Sequence, residues 1–285
     1  MYSIAILDMN AGVQNEGMRC ITALVESFLT QEGVVGRYDV FDVRTKGEAP
    51  HITEYDIFVS SGGPGSPLKT GAEWEKRYFG FLDAILSHNL SNARKKHVFL
   101  ICHSFQLACL HWDVARVIKR RSTSFGIFPI YKTKSGAQEV LFKDLKDPFY
   151  AVDSRDYQVV GPKEWKLDTL DGKVLCREKI RPNVPLERAV MAIRFSNEIF
   201  GVQFHPEADA EGMLRYFVRE EKRKQVVKRH GKKKYLEMII QLDDKAKIWK
   251  TNKAIIPTFL QLAAEAIDSK LPEGKPTSHL KEETI

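Results

Sequence analysis

Short apolar runs alternate with amphipathic stretches along the first hundred residues of the chain. Four apolar runs are rich in β-branched and aromatic residues: 2–8, 38–43, 55–61 and 97–102. Runs that are apolar throughout are typical of strands buried on both faces of a parallel sheet. The stretches 15–33 and 71–89, which lie between these runs, carry apolar side chains near the spacing of one helix face. This alternation predicts an α/β fold with an open, mostly parallel sheet flanked by helices.

The rest of the chain predicts more strands and then a helical end. A helix is expected over residues 104–118, directly after the fourth apolar run. Further strands are expected at 125–133, 188–195 and 199–204. Beyond these strands the pattern is helical, and the last residues are polar. We therefore expect one α/β domain over residues 1–210 and a basic helical C-terminal extension over residues 211–285.

Composition indicates a cytoplasmic protein without a metal site. No apolar run approaches the roughly 20 residues that span a bilayer, and the start of the chain lacks the pattern of a secretory signal. The four cysteines form no CxxC pair and do not cluster with histidines. The spacing therefore predicts neither a zinc site nor a disulfide framework, and reduced thiols are expected.

The formal net charge of +7 is concentrated near the C-terminus. From Asp209 onward the chain holds 17 Lys and Arg against 12 Asp and Glu, an excess of five. Acidic residues are interleaved with the basic ones, and few aromatic residues accompany them. This pattern favours a solvated helical face over a nucleic-acid-binding surface.

Three stretches follow predicted strands, which is where ligands bind in open α/β sheets. They are "SSGGPGSP" at 60–67, "ICHSFQ" at 101–106 and "GVQFHPEAD" at 201–209. The first is rich in glycine, so backbone amides there can approach a ligand closely. It has neither the G-x-G-x-x-G spacing nor the Lys-Ser/Thr ending of a phosphate loop, and a plain turn is the alternative.

Cys102 lies between a predicted strand and a predicted helix. A thiol in that sharp turn is near the positive end of the helix dipole, which favours the thiolate. Taken alone, Cys102 is more typical of a small buried residue, because free cysteines are often buried. His103 is a poor candidate base, since adjacent side chains diverge at a strand end. Its backbone N–H is the more useful group.

His205 is a better candidate base. It follows the apolar strand "GVQF", and Pro206 ends that strand because it cannot donate to the ladder. Glu207 is two residues further along, where a carboxylate can reach the imidazole, fix its tautomer and support its protonated form. A lone histidine at a strand end is usually structural. A His-Pro-Glu sequence after such a strand, about a hundred residues beyond Cys102, is a more specific signal of a catalytic base.

Together the three stretches resemble the class I glutamine amidotransferase family, the type with a Cys-His-Glu triad. The family's nucleophile motif is G-x-C-x-G-x-Q. Cys102 and Gln106 match it, whereas Leu100 and Ser104 replace both glycines. The resemblance covers roughly residues 1–210 and is strongest to the glutaminase domain of GMP synthase and related stand-alone proteins. It implies a flavodoxin-like fold.

The resemblance also implies a role for each matched residue. Cys102, His205 and Glu207 would form the triad, and the backbone amides of Gly63 and His103 would form the oxyanion hole. Further residues that would bind the substrate are Gln106, Ser154 and Arg155. The last two belong to "AVDSRDYQV" at 151–159, where the family often has Ser-His. Arg155 replaces that histidine, and it is either a partner for the substrate α-carboxylate or a surface charge.

The implied activity is hydrolysis of the glutamine side-chain amide through a γ-glutamyl thioester, which releases ammonia and requires no cofactor. A cysteine hydrolase of another γ-glutamyl amide is one alternative. A binding module whose altered motif no longer supports catalysis is the other. Many members of the family work with a synthetase, so a protein partner that takes the ammonia is expected. The sequence names neither the acceptor nor the oligomeric state.

Overall fold

Strands and helices alternate along the first part of the chain in the computed structural model, which describes residues 1–269 apart from 14, 184, 243, 245 and 246. The strands of this described part are β1 (Tyr2–Asp8), β2 (Gly36–Asp42), β3 (Ile57–Ser60), β4 (His97–Ile101), β5 (Arg116–Lys132), β6 (Phe149–Val160), β7 (Lys173–Arg177), β8 (Val190–Arg194) and β9 (Ile199–Val202). The helices are α1 (Glu16–Leu29), α2 (Glu73–Ser91), α3 (His103–His111), α4 (Lys134–Ala137), α5 (Glu164–Asp168), α6 (Ala210–Val218), α7 (Glu220–His230), α8 (Lys232–Leu242) and α9 (Ile248–Asp268). The predicted α/β fold is confirmed.

The sheet has a parallel half and an antiparallel half. Strands β2, β1, β3, β4 and β9 lie side by side in that order, and each neighbouring pair is parallel. Strands β8, β6, β5 and β7 continue the sheet with antiparallel pairs, and β7 also pairs with β8. That last pairing closes the four strands into a small barrel. The expectation of an open, mostly parallel sheet is therefore right for one half only.

In the barrel one local expectation was wrong, and two strands were missed. Residues 104–118 were expected to form one helix, but α3 ends at His111 and β5 begins at Arg116. The pairing of Arg116–Lys119 with β6 decides the conformation there, since strand formation depends on a partner that local pattern does not reveal. Strands β6 and β7 were not expected at all.

The parallel strands are buried on both faces. In β1, Ile4 and Ile6 face a core built with α1 and α9, whereas Ala5 and Leu7 face a core built with α2 and α3. This alternation follows from the two-residue period of a strand. The two layers of helices fix the carboxyl ends of β3, β4 and β9 at one edge of the sheet.

The C-terminal helices divide between two cores. Helix α9 packs into the main core through side chains such as Ile255, Phe259 and Ala263, and the Phe259 ring lies 5.1 Å from that of Phe99 in β4. Helices α6, α7 and α8 instead cover one face of β5 and β6 with a smaller apolar cluster. Helix α9 is therefore part of the main core. The division into domains 1–210 and 211–285 stays a prediction.

The basic stretch after residue 219 forms α7 and the start of α8. Most of its described basic side chains are exposed, among them Arg223, Lys224, Lys232 and Lys233. Val226 alone among the described residues of α7 is buried. Exposed charge around one buried position is the arrangement of a solvated helix face.

Candidate active site

Cys102 lies at a sharp turn between β4 and α3. Its backbone has φ +48° and ψ −95°, a conformation that is strained for any residue other than glycine. The Cys102 N–H donates to the Val202 carbonyl at 2.7 Å, and its own carbonyl accepts from the Gln106 N–H at 3.0 Å. These bonds hold the strained turn from β9 on one side and from α3 on the other. The thiol consequently faces a cavity at the edge of the sheet.

The two residues that replace glycines fit this turn. Leu100 is fully buried in β4. The Ser104 hydroxyl accepts from the Ile101 N–H at 2.9 Å, and it lies 2.9 Å from the Ser60 carbonyl and 3.0 Å from the Ser61 carbonyl. The serine therefore ties the turn to the end of β3, and the departure from the glycine motif leaves the turn geometry intact.

His205 and Glu207 form a hydrogen-bonded pair beside Cys102. Nδ1 of His205 donates to Oε1 of Glu207 at 2.7 Å, and the carboxylate is 2% exposed. Cys102 lies close enough to the same imidazole to contribute to the rise in the pKa of His205. A Cβ built on Gly62 would lie 2.8 Å from Cε1 of His205 and 3.4 Å from Cβ of Cys102. The glycine backbone thus touches both side chains, and a larger residue there would collide with the imidazole.

The electrostatics of the site favour a protonated His205. Burial by itself lowers the pKa of His205, but the negative charges of Glu207 and of Cys102 outweigh it and raise that pKa well above its usual value. A raised pKa keeps the imidazolium populated at neutral pH. The group can therefore act as a proton donor there.

Gln203, which the sequence did not single out, supports the sulfur together with Gln106. Nε2 of the fully buried Gln203 lies 3.6 Å from Sγ of Cys102, and Oε1 of Gln203 accepts from Nε2 of Gln106 at 3.0 Å. Gln106 Nε2 also lies 3.2 Å from the Tyr157 carbonyl oxygen. The amide nitrogen of Gln106 is thus engaged by the protein, so its contact with Cys102 is indirect. Gln203 lies inside the "GVQF" stretch. Its position two residues before His205 could have indicated its role, because residues two apart in a strand lie on the same face.

Ser154 lies over the nucleophile. Its carbonyl oxygen is 3.8 Å from Sγ of Cys102, and its exposed side chain lines the cavity. Arg155 also borders the cavity, but its side chain is 1% exposed and its Nε donates to Asp153 at 2.8 Å. Its Nη2 lies 3.6 Å from Glu178. The guanidinium is therefore not a surface charge, and these carboxylates occupy it in place of a substrate carboxylate.

Gly63 and His103 both border the cavity next to Cys102. A Cβ on Gly63 would lie 2.2 Å from the Met9 carbonyl oxygen, so only glycine allows this close approach. Arg44 holds the same loop, because its Nη1 donates to the Met9 carbonyl at 3.1 Å and to the Pro64 carbonyl at 2.6 Å. The glycine-rich loop is therefore fixed beside the thiol.

The His103 side chain is not part of the hydrogen-bonded pair. Its ring is 1% exposed, and its Nε2 has no hydrogen-bond partner among the described residues. Burial, together with the charge of Arg44, lowers the pKa of His103 to about 4. The ring is neutral at neutral pH and is no base for Cys102, as the sequence indicated.

The cavity around these groups has a volume of about 590 Å³. That volume lies within the range of small-molecule binding sites. One wall is the loop 61–65 with Cys102 and His103, and the opposite wall comes from β5, β6, α6 and the start of α1. A small amide substrate can therefore reach the thiol.

No group of three or more His, Cys, Asp or Glu side chains in residues 1–269, less the five gaps, has a spacing that could hold a metal ion. No helix within the same part of the chain combines the length and apolar character needed to cross a bilayer.

The comparisons with known proteins agree with this geometry. A family model described as glutamine amidotransferase class-I matches residues 23–222. No curated protein matches the chain. Among solved structures, a glutamine amidotransferase from Thermotoga maritima has 16% identity and a TM-score of 0.66, and the alignment covers 93% of this chain and 98% of that one.

A glutamine amido transferase from Methylobacillus flagellatus gives the same TM-score of 0.66 at 14% identity, over 98% of this chain and 99% of that one. A protein from Thermoplasma acidophilum, described as part of a GMP synthase, is also similar, at 20% identity and a TM-score of 0.48 over 73% of this chain and 85% of that one. The two structures with a TM-score of 0.66 share the fold of this chain, and at identities of 16% and 14% they show the fold alone. The family match, which spans more than half of the sequence, shows that the chain belongs to the class I glutamine amidotransferase family.

Proposed function

We propose that the protein hydrolyses the side-chain amide of glutamine with Cys102 as nucleophile, His205 as acid and base, and Glu207 as the group that orients His205. The observation that supports this most is the contact of the strained Cys102 turn with an imidazole that Glu207 holds at 2.7 Å. Both groups border a cavity of small-molecule size. A buried structural cysteine would need neither the strained backbone nor the charged partner.

The first half of the reaction forms a thioester. The Cys102 thiolate attacks the amide carbon of glutamine, and the oxygen gains negative charge as the tetrahedral intermediate forms. The His205 imidazolium gives its proton to the amide nitrogen, the C–N bond breaks, and ammonia leaves. A γ-glutamyl group then remains on Sγ.

The second half returns the enzyme to its starting state. His205, now neutral, takes a proton from water, and the resulting hydroxide attacks the thioester carbon. The C–S bond breaks and glutamate leaves. Nucleophile, proton carrier and oxyanion donors in this sequence of steps are all groups of the protein.

The oxyanion in this proposal is bound by the backbone amides of Gly63 and His103. The fit of Gly63 against Met9 and the clamp from Arg44 support a fixed position for the first amide. Loss of one such donor costs about 2.7–4 kcal/mol of transition-state stabilisation. Ser154 is the proposed contact for the amino-acid end of the substrate, and Gln106 acts on Cys102 through Gln203.

A protein partner that accepts the ammonia remains part of the proposal, because free hydrolysis would waste glutamine. Removing residues 210–285 is a poor way to look for its docking surface, since α9 fills the main core. Charge reversal at the exposed Arg223 and Lys224 of α7 leaves that core intact and is the better variant for binding experiments.

The test is glutamate release from glutamine by the full chain, followed with glutamate dehydrogenase. Cys102→Ala is expected to reduce the rate by at least about 10³-fold, because no other group replaces the nucleophile. Cys109→Ala is the matched control, since Cys109 is buried in the same helix and makes no contact with the imidazole. Equal activity in both variants, or no turnover by the folded native chain, would reject the proposal. The second result would leave two alternatives, a cysteine hydrolase of another γ-glutamyl amide and a binding module, which turnover of other γ-glutamyl amides separates.

A further inference from the structure

The cavity continues past the triad into an apolar region that glutamine would leave empty. The residues of this region are half-buried or buried and come from β5, β6, α6 and α7: Phe125, Val152, Met213, Tyr216 and Val226. The Phe125 ring lies 6.1 Å from that of Tyr216 and 5.4 Å from that of Phe217. The region is thus an aromatic and aliphatic surface that opens into the active-site cavity.

Strand register places this apolar surface beside the reacting atoms. Phe125 pairs directly with Ser154, whose carbonyl oxygen is 3.8 Å from Sγ of Cys102. Side chains of directly paired residues in an antiparallel ladder lie on the same face, about 4.5–5.5 Å apart at Cβ. Val152 is on that face as well, and its carbonyl accepts the His205 N–H at 2.8 Å. The apolar surface therefore begins on the imidazole side of the nucleophile.

The position of His205 decides which part of a substrate meets that surface. The group that protonates the leaving nitrogen has to face it, so the nitrogen points toward the imidazole. A substituent on this nitrogen would extend beyond the imidazole, toward Val152, Phe125 and Met213. Glutamine has only hydrogens on that nitrogen, so it would make no contact with this apolar surface from there.

On this basis, and given the proposed triad chemistry, we propose that the preferred substrates are γ-glutamyl amides whose nitrogen carries an apolar, ring-sized substituent. The bonds made and broken are those of glutamine hydrolysis. Sγ of Cys102 bonds to the γ-carbon, the C–N bond breaks, and the nitrogen takes the His205 proton and leaves as a primary amine. Water then cleaves the thioester to glutamate.

Three substrates of the same intact protein separate the possibilities: glutamine, γ-glutamylmethylamide and γ-glutamylbenzylamide. The last two release alkylamines, so they differ mainly in the size of the apolar group. Because each methylene in an apolar pocket is worth roughly 10–200-fold in specificity, kcat/KM for the benzylamide should exceed that for the methylamide by at least about 10-fold. The assay measures released glutamate in every case.

Two variants assign the preference to the apolar surface. Phe125→Ala and Met213→Ala should each reduce the benzylamide to methylamide ratio of kcat/KM by about 10-fold, because they remove contacts that only the ring makes. Ile239→Ala is the control, since Ile239 packs against the same apolar cluster from α8 and is not among the cavity-lining residues of the described chain. Its ratio should match that of the native protein.

Each result decides the inference. Hydrolysis of glutamine with an equal or lower kcat/KM for the benzylamide than for the methylamide would overturn it and leave the proposed function standing. An unchanged ratio in both Phe125→Ala and Met213→Ala would also overturn it. Turnover of the benzylamide but not of glutamine would support it and correct the proposed substrate. Turnover of none of the three would reject both proposals.

Discussion

At the scale of single residues, the charge of Glu207 sets the protonation of His205. Replacing it in Glu207→Gln removes the negative charge that raises the pKa of His205, so that pKa falls toward its usual value near 6.5. The imidazolium is then lost at a lower pH. We therefore expect the descending limb of the kcat/KM profile to move to lower pH, and kcat to drop by about 10²–10⁴-fold.

Glu211→Gln is the control for this prediction. Glu211 is in the first turn of α6, pairs with Arg215 and is 80% exposed at its side chain. Its loss should leave the pH profile unchanged. A Glu207→Gln protein whose descending limb stays at the native pH would show that Glu207 does not control the imidazole.

At the residue level, the sequence allowed specific predictions where a local motif is present. The family resemblance was enough to choose Cys102, His205 and Glu207, and the structure brings these three together. The resemblance was not enough to predict the ion-pair partners of Arg155, because Glu178 is distant in sequence and contacts Arg155 only when the barrel closes. The ion pair of Arg155 with Asp153 could have been predicted from the sequence, since residues two apart in a strand share a face.

At the scale of elements, α9 directly supports the segment 205–207, which carries the proposed triad residues His205 and Glu207. Nδ2 of Asn252 donates to the Glu207 carbonyl at 2.8 Å, and this asparagine is buried. Asn252→Ala leaves that carbonyl without its donor and frees the segment that carries His205. We expect kcat to fall by about 10–100-fold with a smaller change in KM, because small displacements of a catalytic group are costly.

Thr251→Val is the matched variant. Oγ1 of Thr251 donates from the same helix to the Tyr150 carbonyl at 2.6 Å. Loss of either bond should lower the free energy of unfolding by about 1–3 kcal/mol, but only the asparagine contacts the catalytic segment. Equal kcat values in the two variants would show that α9 has a purely structural role.

The elements themselves were only partly predictable. The sequence after residue 210 indicated helices, but it held no information on which surface each helix covers. The parallel strands were predictable because they are apolar on both faces. The barrel strands β5 and β7 have mixed burial and obtain their conformation from cross-strand pairing, so the local pattern was ambiguous.

At the scale of the whole molecule, buried His103 makes the fold sensitive to acid. Burial and Arg44 hold the pKa of His103 near 4 in the folded state, whereas an unfolded histidine has a pKa near 6.5. The unfolded state therefore binds the proton more tightly than the folded state does. As a result, stability is lost as the pH falls from about 6.5 to about 4. Between pH 7 and pH 5 this linkage is worth about 2 kcal/mol.

Urea unfolding of the native protein and of His103→Gln at both pH values measures that contribution. The glutamine does not titrate, so the variant should lose about 2 kcal/mol less than the native protein between pH 7 and pH 5. Its backbone N–H is retained, so the proposed oxyanion donor is unaffected. Equal losses in the two proteins would mean that His103 is not buried in the neutral form.

The covalent intermediate on Cys102 is the most direct test of the central claim that this sulfur and His205 act together on a γ-glutamyl amide. The protein is mixed with glutamine or γ-glutamylbenzylamide, quenched in acid within the first turnovers, digested and analysed by mass spectrometry. We expect one γ-glutamyl group on the peptide that contains Cys102, and accumulation of that adduct in Glu207→Gln, where deacylation is slower. Glutamate release without any adduct on Cys102, or with the adduct on another cysteine, would contradict the account.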